Sequence, residues 1–144
     1  MADDPDPPIR TKRLTDPPEP SDGRRHLLER KWPDGVSKEA AKVDAIHERL
    51  APSDSLREFL GRESEKFDEF SLKFRMELIG ADEELDKLID EAEHGPITLL
   101  HEAEDSAKSH AAVVAAVLRE RLDARRRSAR RSGASEPGPS PRSP

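Results

Sequence analysis

Apolar and polar positions alternate with a period of two in Ile9-Arg-Thr-Lys-Arg-Leu14, which predicts a short strand. Thr15 to Gly23 follows with three prolines and an Asp22-Gly23 pair, the chemistry of loops and turns. Arg25 to Lys31 carries Leu27-Leu28 between charged flanks and predicts a second strand. Trp32-Pro33-Asp34-Gly35 then breaks the chain.

The period next lengthens to that of a helix, four times over. Ser37 is placed to cap a helix carrying Val43, Ile46 and Leu50 that ends before Pro52. Ser53 caps a short one with Leu56, Phe59 and Leu60, closed by Gly61. Ser64 caps a third with Phe67, Phe70, Phe74 and Leu78, stopping near Gly80. Asp82 begins a fourth with Leu85, Leu88, Ile89 and Ala92, ending at His94-Gly95-Pro96. Ile97 to Leu100 is the most apolar run and reads as a strand buried on both faces. Beyond a polar loop, His110, Val113, Val114, Val117, Leu118 and Leu122 form one stripe of a final helix, with Asp105 or Ser106 as its cap. There is no internal repeat.

These elements predict an α/β fold: a small, mainly parallel sheet of about three strands packed by about five helices. The long helical connection from the second strand to Ile97 suits a crossover between parallel strands. The first two strands are too close for such a crossover, so they are antiparallel to each other or not adjacent.

Composition sets the limits of the folded part. Large apolar residues lie between Ile9 and Leu122, enough for one domain over residues 9–122. Residues 1–8 form an acidic, Pro-rich tail. Residues 123–144 contain no Val, Ile, Leu, Phe or Trp and read as an Arg-rich helix extension stopping at Ser132-Gly133, with Gly133 to Pro144 disordered. No cysteine, no apolar run of membrane-spanning length and no basic, apolar leader predict a cytoplasmic protein that does not meet a membrane. The net charge of −6 divides unevenly: residues 123–144 hold six Arg against Asp123 and Glu136, or +4, which leaves −10 for the remainder. An acidic body is a poor general binder of nucleic acid, so any attraction to phosphate is local.

Read together, these pieces resemble the YeaO-like proteins of the domain-of-unknown-function 488 family. The resemblance rests on Lys12-Arg13, Asp22-Gly23, Arg25, Glu29-Arg30-Lys31-Trp32-Pro33-Asp34-Gly35, Lys38, Ala51-Pro52-Ser53, Leu56-Arg57, Gly95-Pro96-Ile97-Thr98-Leu99-Leu100 and His110-Ala111. It covers Ile9 to about Leu122. The family pattern has Asp, Leu and Arg where this chain has Glu29, Lys31 and Asp34, and Tyr and Asn where it has His101 and Ser109. Asp34 thus reverses a charge beside the Trp-Pro bend.

In open α/β sheets ligands lie beyond the carboxyl ends of the strands. That rule gathers Arg30, Trp32, Lys38, His101, Ser109 and His110 into a candidate pocket for a small anionic ligand. Arg supplies a fork for phosphate or carboxylate, Trp a flat face and Lys a point charge. The competing reading makes Trp32 a core residue, pairs Arg30 with acids and buries His110 in the helix. General acid–base work by His110 or His101 with Asp105 stays open, so the pattern does not decide whether the protein is an enzyme. Of the five histidines only His101 and His110 are expected to approach each other, and no metal site is predicted. There is no Gly-rich phosphate loop and no Gly-x-Ser-x-Gly elbow. The second functional reading is contact with nucleic acid or an acidic partner through Arg125, Arg126, Arg127, Arg130 and Arg131. Against it stands a plain helix extension, whose cations sit well at its negative end.

Overall fold

The computed structural model describes residues 9–103, 105 and 108–135. The acidic tail predicted over residues 1–8 lies outside them, as does the part of the disordered tail after Ser135. Among the described residues four strands form one parallel sheet: β1 (Ile9–Arg13), β2 (Arg24–Leu27), β3 (Ala45–Ile46) and β4 (Ile97–His101). Their spatial order is β1-β4-β2-β3. β4 is central, with Ile97 opposite both Ile9 and Arg24, and Leu99 opposite both Thr11 and His26. The first two strands are therefore parallel and not adjacent, separated by the last one.

Among the described residues five α-helices complete the fold: α1 (Lys38–Ala41), α2 (Asp54–Arg62), α3 (Phe67–Leu78), α4 (Asp82–His94) and α5 (His110–Ser135). The chain is an α/β protein, as its periodicities predict. Strand residues alternate between the two faces of the sheet. Ile9, Leu28, Ile97 and Leu99 meet Phe70, Phe74, Leu85, Ile89, Val114 and Leu118 from the long helices in the main core. Leu27 and Leu100 turn the other way, onto Leu14, Ala41, Trp32, Val36 and Val43 from α1 and the loops.

Two segments depart from the sequence reading. Ser37 does cap a helix, accepting from the Ala40 N–H at 3.1 Å, but that helix ends after a single turn at Ala41. Lys42 adopts the left-handed conformation (φ 50°), and the chain then extends into the edge strand β3. Val43 and Ile46 are consequently not helical, and Leu50 lies in a separate 3-10 turn, Glu48–Leu50. Pairing of His26 with Ala45 and Leu27 with Ile46 outweighs the helical propensity of this stretch. The second departure is at α5. Its cap is Ser109, whose Oγ accepts from the Ala112 N–H at 3.1 Å, and not Asp105; Ser106 lies outside the described residues. Smaller differences are that β2 ends at Leu27, α2 runs through Gly61 to Arg62, and α5 continues to Ser135.

The loop between β1 and β2 is fixed by Asp22. Its fully buried carboxylate accepts from Lys12 (3.0 Å), Arg25 (2.7 Å), Arg10 (3.2 Å) and the Glu19 N–H (3.0 Å). Burial raises the carboxyl pKa, but the Glu19 N–H, Lys12 and Arg25 outweigh it and hold the group below its ordinary value. Gly23 follows with φ 65°, where a side chain would also collide with the Pro96 carbonyl. The Asp-Gly pair of the sequence is thus a latch that docks the loop on the start of β4.

Candidate functional site

At the carboxyl edge of the sheet the chain leaves β2 through Leu28 and Glu29. The Leu28 N–H donates to the Leu100 carbonyl at 3.2 Å, continuing the ladder one residue past the strand. The Leu28 carbonyl in turn lies 2.6 Å from Nε2 of His110, the first residue of α5. A carbonyl can only accept, so His110 holds its proton on Nε2 and donates it there. The ring is 6% exposed and stands edge-on to Phe74, with centroids 6.1 Å apart. Burial pushes its pKa down to about 4 despite the bond to Leu28, so it is neutral at pH 7.

Glu29 is 4% exposed. Its Oε1 accepts from Arg57 of α2 at 2.8 Å, while Oε2 has no hydrogen-bond partner among the described residues and lies 3.7 Å from His110 Nε2. Burial raises the Glu29 pKa, with Arg57 opposing and Glu102 reinforcing the shift. A cleft of about 510 Å³ opens beside this carboxyl, lined by the segment from Glu29 to Asp34 together with Asp54, Arg57 and Glu102. Arg30 and Lys31 are exposed there, and neither enters an ion pair among the described residues; Arg30 Nε donates to the Pro52 carbonyl at 3.3 Å.

Trp32 is half-buried, and its indole N–H donates to the Val36 carbonyl at 2.7 Å. Lys38 Nζ sits 5.6 Å from the centre of the Trp32 ring, within cation–π range. Lys38 does not line the cleft. With Trp32 it borders a neighbouring groove of about 280 Å³ against Val43 to Ile46. His101 is fully buried at the end of β4, where Nδ1 accepts from the Ala103 N–H at 3.0 Å and burial lowers its pKa. The six residues grouped from the sequence thus take three places. Arg30 and Trp32 line the cleft, and Lys38 stacks on Trp32 beside it. His101, Ser109 and His110 lie buried behind the edge, with Glu29 between His110 and the cleft. The sequence reading left out Glu29, Asp54 and Arg57. Leu56-Arg57 stood in the family motif, and Glu29 stood beside Arg30, but burial of a carboxylate leaves no mark in a pattern.

The Arg-rich segment divides. Arg125 is ion-paired with Asp90 (2.7 Å) and Glu93 (2.9 Å) of α4, whereas Arg126, Arg127, Arg130 and Arg131 are exposed on the continuing helix.

One further constellation escaped the sequence reading, which brought only His101 and His110 together. His26 of β2 and His47, just after β3, face each other with Nδ1 and Nε2 2.9 Å apart. The outer nitrogen of His26 contacts Glu91 at 2.9 Å and that of His47 contacts Glu84 at 3.0 Å, both from α4. Three hydrogen bonds in a row need three protons. Two neutral imidazoles supply only two. Burial pushes His26 toward its neutral form, against the pull of Glu91. Among the described residues no group of three or more His, Asp or Glu side chains is arranged to hold a metal ion.

A four-stranded parallel sheet with helices on its main core face and a polar cleft at its carboxyl edge defines a small α/β domain. The chain belongs to the domain-of-unknown-function 488 family, in its YeaO-like branch: the family model described as "Inactive DUF488-N3 subclade" matches residues 8–137. It is 36% identical over 111 residues to the uncharacterized protein YeaO of Escherichia coli, covering 77% of this chain and 96% of that one. It is 37% identical over 112 residues to the uncharacterized proteins Rv3073c of Mycobacterium tuberculosis and Mb3100c of Mycobacterium bovis, covering 76% of this chain and 92% of each. No solved structure matches. Among the described residues no helix is long and apolar enough to cross a membrane.

Proposed function

We propose that the protein is a binding member of its family, whose cleft takes a small molecule by an anionic group. The observation that carries this reading is a pair of cations, Arg30 and Lys31, without an ion pair among the described residues, on a cleft at the carboxyl edge of the sheet. Trp32 supplies a flat face beside them, steadied by Lys38. Asp34, Asp54 and Glu102 line the same cleft, so the ligand carries a positive or hydrogen-donating group next to its anionic one. Asp34, in the place of the family's arginine, shifts the preference from a plain anion toward such a mixed compound.

Binding rather than turnover follows from the state of His110. Its Nε2–H is engaged by Leu28, and a pKa of about 4 leaves the ring neutral and only a weak base at neutral pH. The word "inactive" in the description of the matching subclade agrees with this. The reading is tested by thermal-shift screening of phosphates, carboxylates and amino acids against the wild type, Arg30→Ala and Lys31→Ala. A ligand present at about 100 times its Kd stabilises the folded state by about 2.7 kcal/mol, and that gain is expected to shrink in both variants. Stabilisation that is absent throughout, or equal in all three proteins, refutes the reading.

A further inference from the structure

α5 carries seven arginines between residues 119 and 131, and they fall into two sets. The first set is spent on the body: Arg119 donates to the Ile9 carbonyl, Arg121 pairs with Asp82 (2.7 Å) and Arg125 with Asp90 (2.7 Å). The second set, Arg126, Arg127, Arg130 and Arg131, is exposed and has no ion pair among the described residues. At about 100° per residue these four occupy one arc of roughly 140°, whose centre lies roughly 170° from that of Arg121 and Arg125. The free cations therefore point away from the acids of α4. From Asp123 to Ser135 the chain offers nothing more apolar than alanine.

We propose that this face of α5 docks on the phosphate backbone of a nucleic-acid duplex. Arginine presents a planar fork that matches a phosphate with two hydrogen bonds. A membrane surface needs an apolar face on the helix to enter it, and there is none. A protein partner is held chiefly by apolar and aromatic anchors, which are equally missing. What is left to this surface is charge alone, and a duplex backbone is the partner bound in that way, without regard to base sequence. The net −10 of residues 1–122 opposes a broad footprint, which confines contact to the extension.

Fluorescence anisotropy of labelled duplexes with the full chain tests this. Four neutralised phosphates give a salt slope of about −3.6, so affinity is expected to fall on the order of 100-fold between about 50 and about 200 mM salt. Duplexes of unrelated sequence should bind alike. Replacing all four arginines by glutamine should abolish binding and leave the thermal midpoint nearly unchanged, because these side chains are exposed and enter no ion pair among the described residues. Replacing them by lysine should weaken binding while keeping the slope. The proposal is overturned if no complex forms at low salt, or if the glutamine variant binds like the wild type. It is equally overturned if polyglutamate or anionic vesicles compete as well as a duplex of equal charge.

Discussion

Replacing His110 by glutamine keeps an N–H for the Leu28 carbonyl and removes a titrating group from the core. The size of the effect follows from burial. An unfolded histidine titrates at 6.5 and folded His110 at about 4, a gap of about 2.5 units (6.5 − 4). At about 1.4 kcal/mol per unit the gap is worth about 3.4 kcal/mol in full. The sign is that of a depressed pKa: as pH falls, the unfolded chain takes up the proton first. Stability is therefore complete above pH 6.5 and is lost as pH falls toward about 4. About 2 kcal/mol of it disappears between about pH 7 and about pH 5. His26 and His101, also lowered, act with the same sign, whereas Glu29, raised, stabilises at low pH and loses that contribution as pH rises through its folded value. These groups are common to both proteins and cancel in the comparison. Urea unfolding of wild type and His110→Gln at the two pH values is the assay. The drop in unfolding free energy on acidification should be smaller in the variant by about 2 kcal/mol. Parallel pH profiles, or a His110 that titrates near 6.5 by NMR, would refute the burial argument.

Three other outcomes follow from the same geometry. Asp22→Asn strips the counter-charge from Arg25, itself 3% exposed, and should cost about 3–5 kcal/mol in chemical denaturation; a loss near zero would mean that the loop has another anchor. Gly23→Ala should destabilise by about 2 kcal/mol or more, since left-handed strain adds to the collision with Pro96, and wild-type stability would contradict the latch. In the His26–His47 pair, His47→Ala leaves a ring nitrogen of buried His26 without its 2.9 Å partner and should cost about 1–3 kcal/mol in chemical denaturation; wild-type stability would show that the contact carries nothing.

What the sequence disclosed was whatever is announced locally. Ser53, Ser37, Asp82 and the run Ile97–Leu100 each mark a start or a buried strand, and the structure has them in place. β3 was hidden because Lys38-Glu-Ala-Ala-Lys42 is good helical material, and no glycine warns of the left-handed turn at Lys42. Losing β3 also lost the His26–His47 pair, since a helix through residue 47 would have carried that ring elsewhere. The burial of His110 depends on Phe74 and Leu28, and the pairing of Glu29 on Arg57, partners that lie far off in the chain and meet only after folding.

The place of β4 in the middle of the sheet governs when the protein can form. β1 and β2 share no hydrogen bonds with each other; each is paired through residues 97–101, some ninety positions downstream of residue 9. On a ribosome, the amino-terminal segment must wait with bare edges until four helices have been made and the keystone strand emerges. A chain interrupted before residue 97 retains only the two-residue pairing of β2 with β3, and its first strand is an open invitation to a neighbour.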